Sequence, residues 1–276
     1  MPRFFNTAGP CDPTKHYTLA PESRLPGISR LIDMERYCVL HAPRQTGKTT
    51  AVEAAARRLH TEGRYSVVVA SCEEAQAVGE DLDAGIDLVI RNIDEMARQL
   101  PDPLRPAPPE TVAHIEGGSR LQAYLRRWSE RSTRPVVLFL DEVDAMVGKT
   151  LLSLLRQIRT GYPRRPEHFP QAVVLMGMRD VRDYRVASTE SLSTELSSVT
   201  SLHTASPFNI KDRSILLRNF TAEEVSELYA QHTEATGQVF TAEATALAYD
   251  LTRGQPWLVN ALAQQIVMDP RIWTAP

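Results

Sequence analysis

Residues Ala42, Pro43, Arg44, Gln45, Thr46, Gly47, Lys48, Thr49 and Thr50 read A-P-R-Q-T-G-K-T-T, which matches the pattern A/G-x-x-x-x-G-K-S/T. Such a loop binds phosphate by turning backbone N–H groups inward around the oxygens. It needs a glycine where a side chain would obstruct the turn, and a helix N-terminus whose dipole favours the anion. Gly47 supplies that glycine, Lys48 would carry a point charge to β- and γ-phosphates, and Thr49 would place its hydroxyl on Mg²⁺. Ala42 stands where a first glycine is more usual. The second signal is VVLFLDEVDAM at 136–146, an apolar strand ending in adjacent carboxylates. Asp141 would hold the metal through water, and Glu142 would orient or deprotonate the attacking water. An acidic pair at a strand end also caps a following helix; beside a phosphate loop, metal-assisted hydrolysis accounts for it better. Asp144 reads as a helix N-terminal residue that could support the pair.

Both motifs depend on the elements that carry them. The loop follows the apolar run YCVLH at 37–41 and precedes the helical stretch TTAVEAAARRLH at 49–60. Further strands are predicted at 65–71, 135–140, 172–178 and 214–217. Their apolar character is continuous, not alternating, as a parallel sheet covered by helices on both faces requires. Leu151, Leu154, Leu155 and Ile158 recur at helical spacing and predict a helix with one face on the sheet. The proline-rich run 100–109 and the serine- and threonine-dense stretch 188–206 read as surface connections, the latter alternatively as a partly helical insert. From about residue 220 the pattern is wholly helical. Thr221 and Glu224 have the spacing of a capping box, with Val225, Leu228 and Tyr229 on one face behind it. A second helix starts near Thr241 with Ala244, Leu247, Ala248 and Leu251 on one side, and a third runs from Pro256, after Gly254, to about Met268.

Composition narrows the function class. A chain of 276 residues with 42% hydrophobic and 24% charged residues buries a core without disulfide or metal staples, so small stapled scaffolds are excluded. Its net charge of −3 supplies no global field for nucleic acid or anionic membranes. Cys11, Cys38 and Cys72 show no paired spacing, no apolar run approaches a membrane span, and the N-terminus has no apolar leader segment. A cytoplasmic protein is expected. The seven histidines have no metal-ligand spacing.

Taken together, APRQTGKTT, LFLDEVDAM, VVLMGMRD and RGQPWLVNAL resemble the AAA+ superfamily of ATP-binding proteins, in its STAND-like and origin-recognition-like branches, over roughly residues 15–268. The resemblance implies an α/β P-loop NTPase fold, with a five-stranded parallel sheet in the order 5-1-4-3-2 between helices and a C-terminal three-helix lid. It implies ATP and Mg²⁺ as ligands. It also implies three regions: 1–24 lining the base, 25–218 as ATPase core and 219–276 as lid. Arg179 matches a sensor of the γ-phosphate, although a surface ion pair with Asp180 or Asp183 explains it as well. Gly254, Gln255 and Pro256 match a glycine-x-proline element touching the adenine or ribose side, for which the alternative is a turn before a helix. Tyr17 and Leu19 are candidates to line the base. Arg156, Arg159, Arg164 and Arg165 occupy the region where ring-forming relatives place an arginine finger, and a solvated helix face explains them equally.

The function these features imply is a Mg²⁺-dependent ATPase switch that regulates a protein partner or its own assembly. The alternatives are a DNA-associated ATPase of initiator or transposition-adaptor type, with Arg126/Arg127 and Arg164/Arg165 as basic patches, and a nucleotide-gated module without hydrolysis, against which Glu142 argues.

Overall fold

The computed structural model of the chain describes residues 3–20, 24–178 and 211–269. Arg179 and the stretch 188–206 lie outside the described residues. In chain order the main elements are α1 (Ile28–Asp33), β1 (Tyr37–His41), α2 (Lys48–Glu62), β2 (Ser66–Ser71), α3 (Leu82–Ala97), α4 (Gly117–Arg131), β3 (Val136–Asp141), α5 (Gly148–Gly161), β4 (Ala172–Gly177), β5 (Lys211–Leu216), α6 (Ala222–Thr236), α7 (Ala242–Thr252) and α8 (Pro256–Met268). They form two compact units. The sheet unit comprises Gly27–His41 and Ala56–Leu216; the helical unit comprises Met1–Pro26, Ala42–Ala55 and Leu217–Pro276.

In the sheet unit the strands lie side by side in the order β2-β3-β4-β1-β5, the order 5-1-4-3-2 that the sequence predicts. All neighbours are parallel, with Ser71 opposite Asp141, Leu138 opposite Val173 and Val39 opposite Leu175. Every residue of β3 and β4 is buried, which is why both read as unbroken apolar runs. One large cluster joins Val136, Leu138 and Leu140 of β3 to α3, α4 and α5 through residues such as Ile90, Trp128 and Leu154. Leu151, Leu154, Leu155 and Ile158 all face inward on α5, as their spacing predicts. β5 starts at Lys211, earlier than the apolar residues alone suggest, because its charged first residues pair with β1 at the edge of the sheet.

The proline-rich run is tied down more firmly than a free surface connection. It forms two short 3₁₀ turns, Asp102–Leu104 and Pro109–Val112. Leu104 is buried, and its carbonyl accepts from Ser66 Oγ at 2.9 Å and Trp128 Nε1 at 2.8 Å.

The helical unit has its own core, in which Phe5 and Tyr17 of the N-terminal segment pack with Val225, Leu228, Tyr229, Ala248, Val259 and Ala263. α6 opens with the predicted capping box, and Thr241 caps α7 by accepting from the Ala244 N–H. On α7 only part of the predicted apolar side is covered: Ala248 is buried, whereas Leu247 and Leu251 are 58% and 67% exposed.

Candidate functional site

In the helical unit, residues 42–47 form a tight turn before α2. Gln45 and Gly47 both have left-handed backbone, at φ 63° and 78°. Glycine accepts that conformation freely and glutamine does not, so strain is stored at Gln45. Thr46 is buried, with its hydroxyl donating to the Pro43 carbonyl at 2.9 Å, and the Gly47 carbonyl accepts from the Ala51 N–H at 2.9 Å as α2 begins. Lys48 and Thr49 occupy the first two positions of this 15-residue helix, the former half-buried and the latter exposed. Pro43 and Arg44 are exposed and Ala42 is buried. Thr50 accepts at its hydroxyl from the Cys11 N–H at 3.0 Å. A left-handed glycine, a turn whose carbonyls are bonded elsewhere and a helix that opens directly after it fit a polyphosphate.

Two further side chains reach this turn. Arg24, only 8% exposed, donates through Nη2 to the carbonyls of Thr46 at 3.4 Å and Arg218 at 2.7 Å. It lies 3.8 Å from the Glu224 carboxylate and 4.7 Å from the Phe220 ring centre, and its Nη1 has no hydrogen-bond partner. Burial lowers the Arg24 guanidinium to about 10, against the opposing charge of Glu224, so it stays protonated at neutral pH. Gln255 donates through Nε2 to the Gln45 carbonyl at 3.2 Å and accepts at Oε1 from the Leu258 N–H at 2.6 Å.

Gly254 and Pro256 flank Gln255. Gly254 has φ 69°, and a Cβ there would fall 2.0 Å from the Phe220 carbonyl oxygen, so no side chain is tolerated. Pro256 is the first residue of α8. Tyr17 is enclosed by Phe5 and His232, with its hydroxyl 3.2 Å from His232 Nδ1, and Leu19 packs at the edge of the same cluster. Tyr17 thus anchors the N-terminal segment to α6.

The carboxylates belong to the sheet unit. Asp141 ends β3 and is 7% exposed; its Oδ1 accepts from the Glu142 N–H at 2.8 Å. Glu142 has left-handed backbone, φ 55° and ψ 38°, and starts the 3₁₀ turn Val143–Ala145. Its Oε2 accepts from the Ser71 hydroxyl at 2.9 Å, and that oxygen in turn accepts from the Glu73 N–H at 3.0 Å. Asp144 accepts at Oδ2 from the Met178 N–H at 3.3 Å, which joins it to the end of β4. Burial pushes the Cys72 thiol far above its ordinary range, and the charges of Asp141, Glu142 and Asp144 add to that rise. Cys72 is an inert core residue beside an electronegative corner.

Sequence reasoning missed Ser71 and Arg24. Neither belongs to a motif; Ser71 becomes visible only once β2 is known to pair with β3 so that it stands opposite Asp141. Of the arginine-finger candidates, Arg156, Arg159 and Arg164 are exposed. Arg165 is engaged with the carbonyls of Glu35 and Tyr162 and lies over the Tyr162 ring. Arg127 donates to the Thr111 carbonyl and Arg126 pairs with Glu130 at 3.9 Å, so that patch is partly consumed internally.

Three solved structures are similar to this chain. ORC1 from Aeropyrum pernix, in complex with DNA, matches at 15% identity with a TM-score of 0.54, over 91% of this chain and 60% of that one. AMPPCP-bound DnaA from Aquifex aeolicus matches at 12% identity and TM-score 0.50, over 87% and 59%. Cdc6p from Pyrobaculum aerophilum matches at 13% and 0.50, over 91% and 62%. At these identities the likeness is one of fold, and the chain spans about three fifths of the length of each. No curated protein matches the sequence. The model of the family described as AAA domain matches residues 32–184, more than half of the chain. With a phosphate-type loop, a strand ending in Asp141 and Glu142, and a five-stranded parallel sheet, the chain belongs to the AAA domain family.

Proposed function

We propose that this chain binds ATP with Mg²⁺ and hydrolyses it slowly, as a switch that regulates a protein partner or its own assembly. The observation that carries the reading is the turn Ala42–Gly47, with its left-handed Gln45 and Gly47 and with α2 opening at Lys48. Lys48 would neutralise β- and γ-phosphate charge, while Thr49 and Asp141 would hold the metal. Mg²⁺, when bound, draws charge from the phosphate oxygens. Glu142 would orient the attacking water and take its proton, with the Ser71 hydroxyl holding one carboxylate oxygen and so the orientation of the group. Arg179 is assigned to the γ-phosphate, and Leu19, Gly254 and Pro256 to the base and ribose side, with Tyr17 securing the N-terminal segment that carries Leu19. Phosphoryl transfer to water demands positioning and charge neutralisation, and these residue types supply both.

Glu142→Gln tests the mechanism, since the amide keeps the shape and removes the base. Calorimetry should give near wild-type ATP affinity, and phosphate release should fall by about a hundredfold or more. Unchanged turnover would make the carboxylate pair structural; a wild-type chain that binds ATP without turnover would be a non-hydrolysing module.

A second reading, a DNA-associated ATPase, is favoured by the fold shared with an ORC1 structure solved in complex with DNA. Duplex binding that weakens steeply with added salt would support it, because released counterions drive such binding.

A further inference from the structure

The turn before α2 has an unusual distribution of acceptors. The carbonyls of Pro43, Gln45, Thr46 and Gly47 each accept a hydrogen bond from the protein: from the Thr46 hydroxyl, Gln255 Nε2, Arg24 Nη2 and the Ala51 N–H in turn. Two of those donors are side chains distant in sequence. In a planar trans peptide the C=O of one residue and the N–H of the next point in opposite directions. A donor that holds the Thr46 carbonyl therefore directs the Gly47 N–H away from itself, and a donor on the Gln45 carbonyl does the same for the Thr46 N–H. A phosphate cradle needs that polarity, with donors towards the anion and acceptor dipoles turned off it.

We infer that Arg24 and Gln255 are positioning residues of the phosphate site, which preset the N–H groups of Gly47 and Thr46 for a polyphosphate by holding two carbonyls from behind. The inference rests on the phosphate-loop reading above. It adds a regulatory link: Gln255 also caps α8 through the Leu258 N–H, so the seating of that helix and the setting of the cradle share one side chain. The buried guanidinium of Arg24 makes the same kind of link to the start of α6, through the Arg218 carbonyl and Glu224. Tyr17, by contrast, packs against the Phe5 ring and meets His232 through its hydroxyl.

Gln255→Ser tests the assignment. Serine is a good helix cap, so α8 keeps its start, but its hydroxyl is too short to reach the Gln45 carbonyl, and no charge is introduced. Binding of inorganic tripolyphosphate, ADP and ATP to the full chain is measured by calorimetry, with thermal melting as the check on folding. Affinity should fall about fivefold for all three ligands, the loss of one hydrogen bond's net contribution, at unchanged melting temperature. Arg24→Lys, which keeps the charge but not the fork, should weaken tripolyphosphate at least as much. Wild-type affinity for tripolyphosphate in a folded Gln255→Ser chain would overturn the inference while leaving the phosphate loop intact. Loss confined to ADP and ATP would also overturn it, since Gln255 would then act on the base or ribose. A wild-type chain binding neither tripolyphosphate nor ATP would instead overturn the phosphate-loop reading itself.

Discussion

The chemistry of the carboxylate corner turns on how one side chain is held. Glu142 sits in left-handed backbone, which costs on the order of 1 kcal/mol or more for a non-glycine residue, and the conformation persists because the surrounding turn enforces it. Its Oε2 is bound by Ser71, itself held by the Glu73 N–H, so the orientation of the carboxylate is fixed through that oxygen. Ser71→Ala should therefore leave ATP affinity unchanged and lower kcat about fivefold, the cost of losing one orienting hydrogen bond. Steady-state kinetics read the split: a raised KM at constant kcat would mean that Ser71 serves binding and not the orientation of Glu142.

At the scale of elements, the start of α6 concentrates charge and capping in one place. Thr221 accepts from the Glu224 N–H at 3.2 Å, Glu224 accepts from the Thr221 N–H at 2.8 Å, and Arg218 and Arg24 lie against the same carboxylate. Burial works to raise Glu224, but the hydrogen bonds from Arg218 and Thr221 outweigh it and hold the group below the ordinary glutamate range. A carboxyl depressed in the folded state stabilises it fully above the unfolded value, about 4.3, and the contribution is lost as pH falls through the folded value. Glu224→Gln should accordingly cost about 1 kcal/mol at pH 7, and the gap from wild type should close below roughly pH 4. Urea unfolding at several pH values, followed by helical circular dichroism, checks both the size and the sign. A gap that widens in acid would place the stabilising charge elsewhere.

For the molecule as a whole, the division into two units matters more than the linear order of motifs. The phosphate turn and the first half of α2 group with the helices that follow Leu217, whereas the carboxylates group with the sheet. Saturating Mg·ATP, at a hundred times its Kd, should stabilise the folded state by about 2.7 kcal/mol and raise Tm by roughly 5 °C. Lys48→Ala, which removes the ammonium from the first position of α2, should abolish that shift while melting normally without ligand. A full shift in the variant would remove Lys48 from the phosphate site. Residues 217–269 hold two arginines, Arg218 and Arg253, against seven carboxylates, of which Glu224 is buried and paired with Arg218 and Arg24. Among the described residues no helix is long and apolar enough to cross a membrane.

By itself the sequence determined the strands, the helices and the two motifs, because these depend on local periodicity and on residue types at fixed spacing. The run VVLFL must be buried on both faces, Thr221 and Glu224 cap whatever helix follows them, and a glycine before Lys48 permits the left-handed turn. Strand order too was legible, once the motifs had identified the family to which the order belongs. Tertiary structure alone decided which distant groups serve the motifs. Ser71 meets Glu142 because β2 pairs with β3, and Arg24 and Gln255 hold the phosphate turn from segments about 20 and 210 residues away in sequence. Tertiary structure likewise turned Tyr17 into an anchor and left Leu247 and Leu251 in solvent, although their spacing is that of a buried stripe. The physical reason is common to all of these: hydrogen-bond partnership and burial are properties of what comes to lie opposite, and the pattern of a segment records only the face it presents, not what covers it.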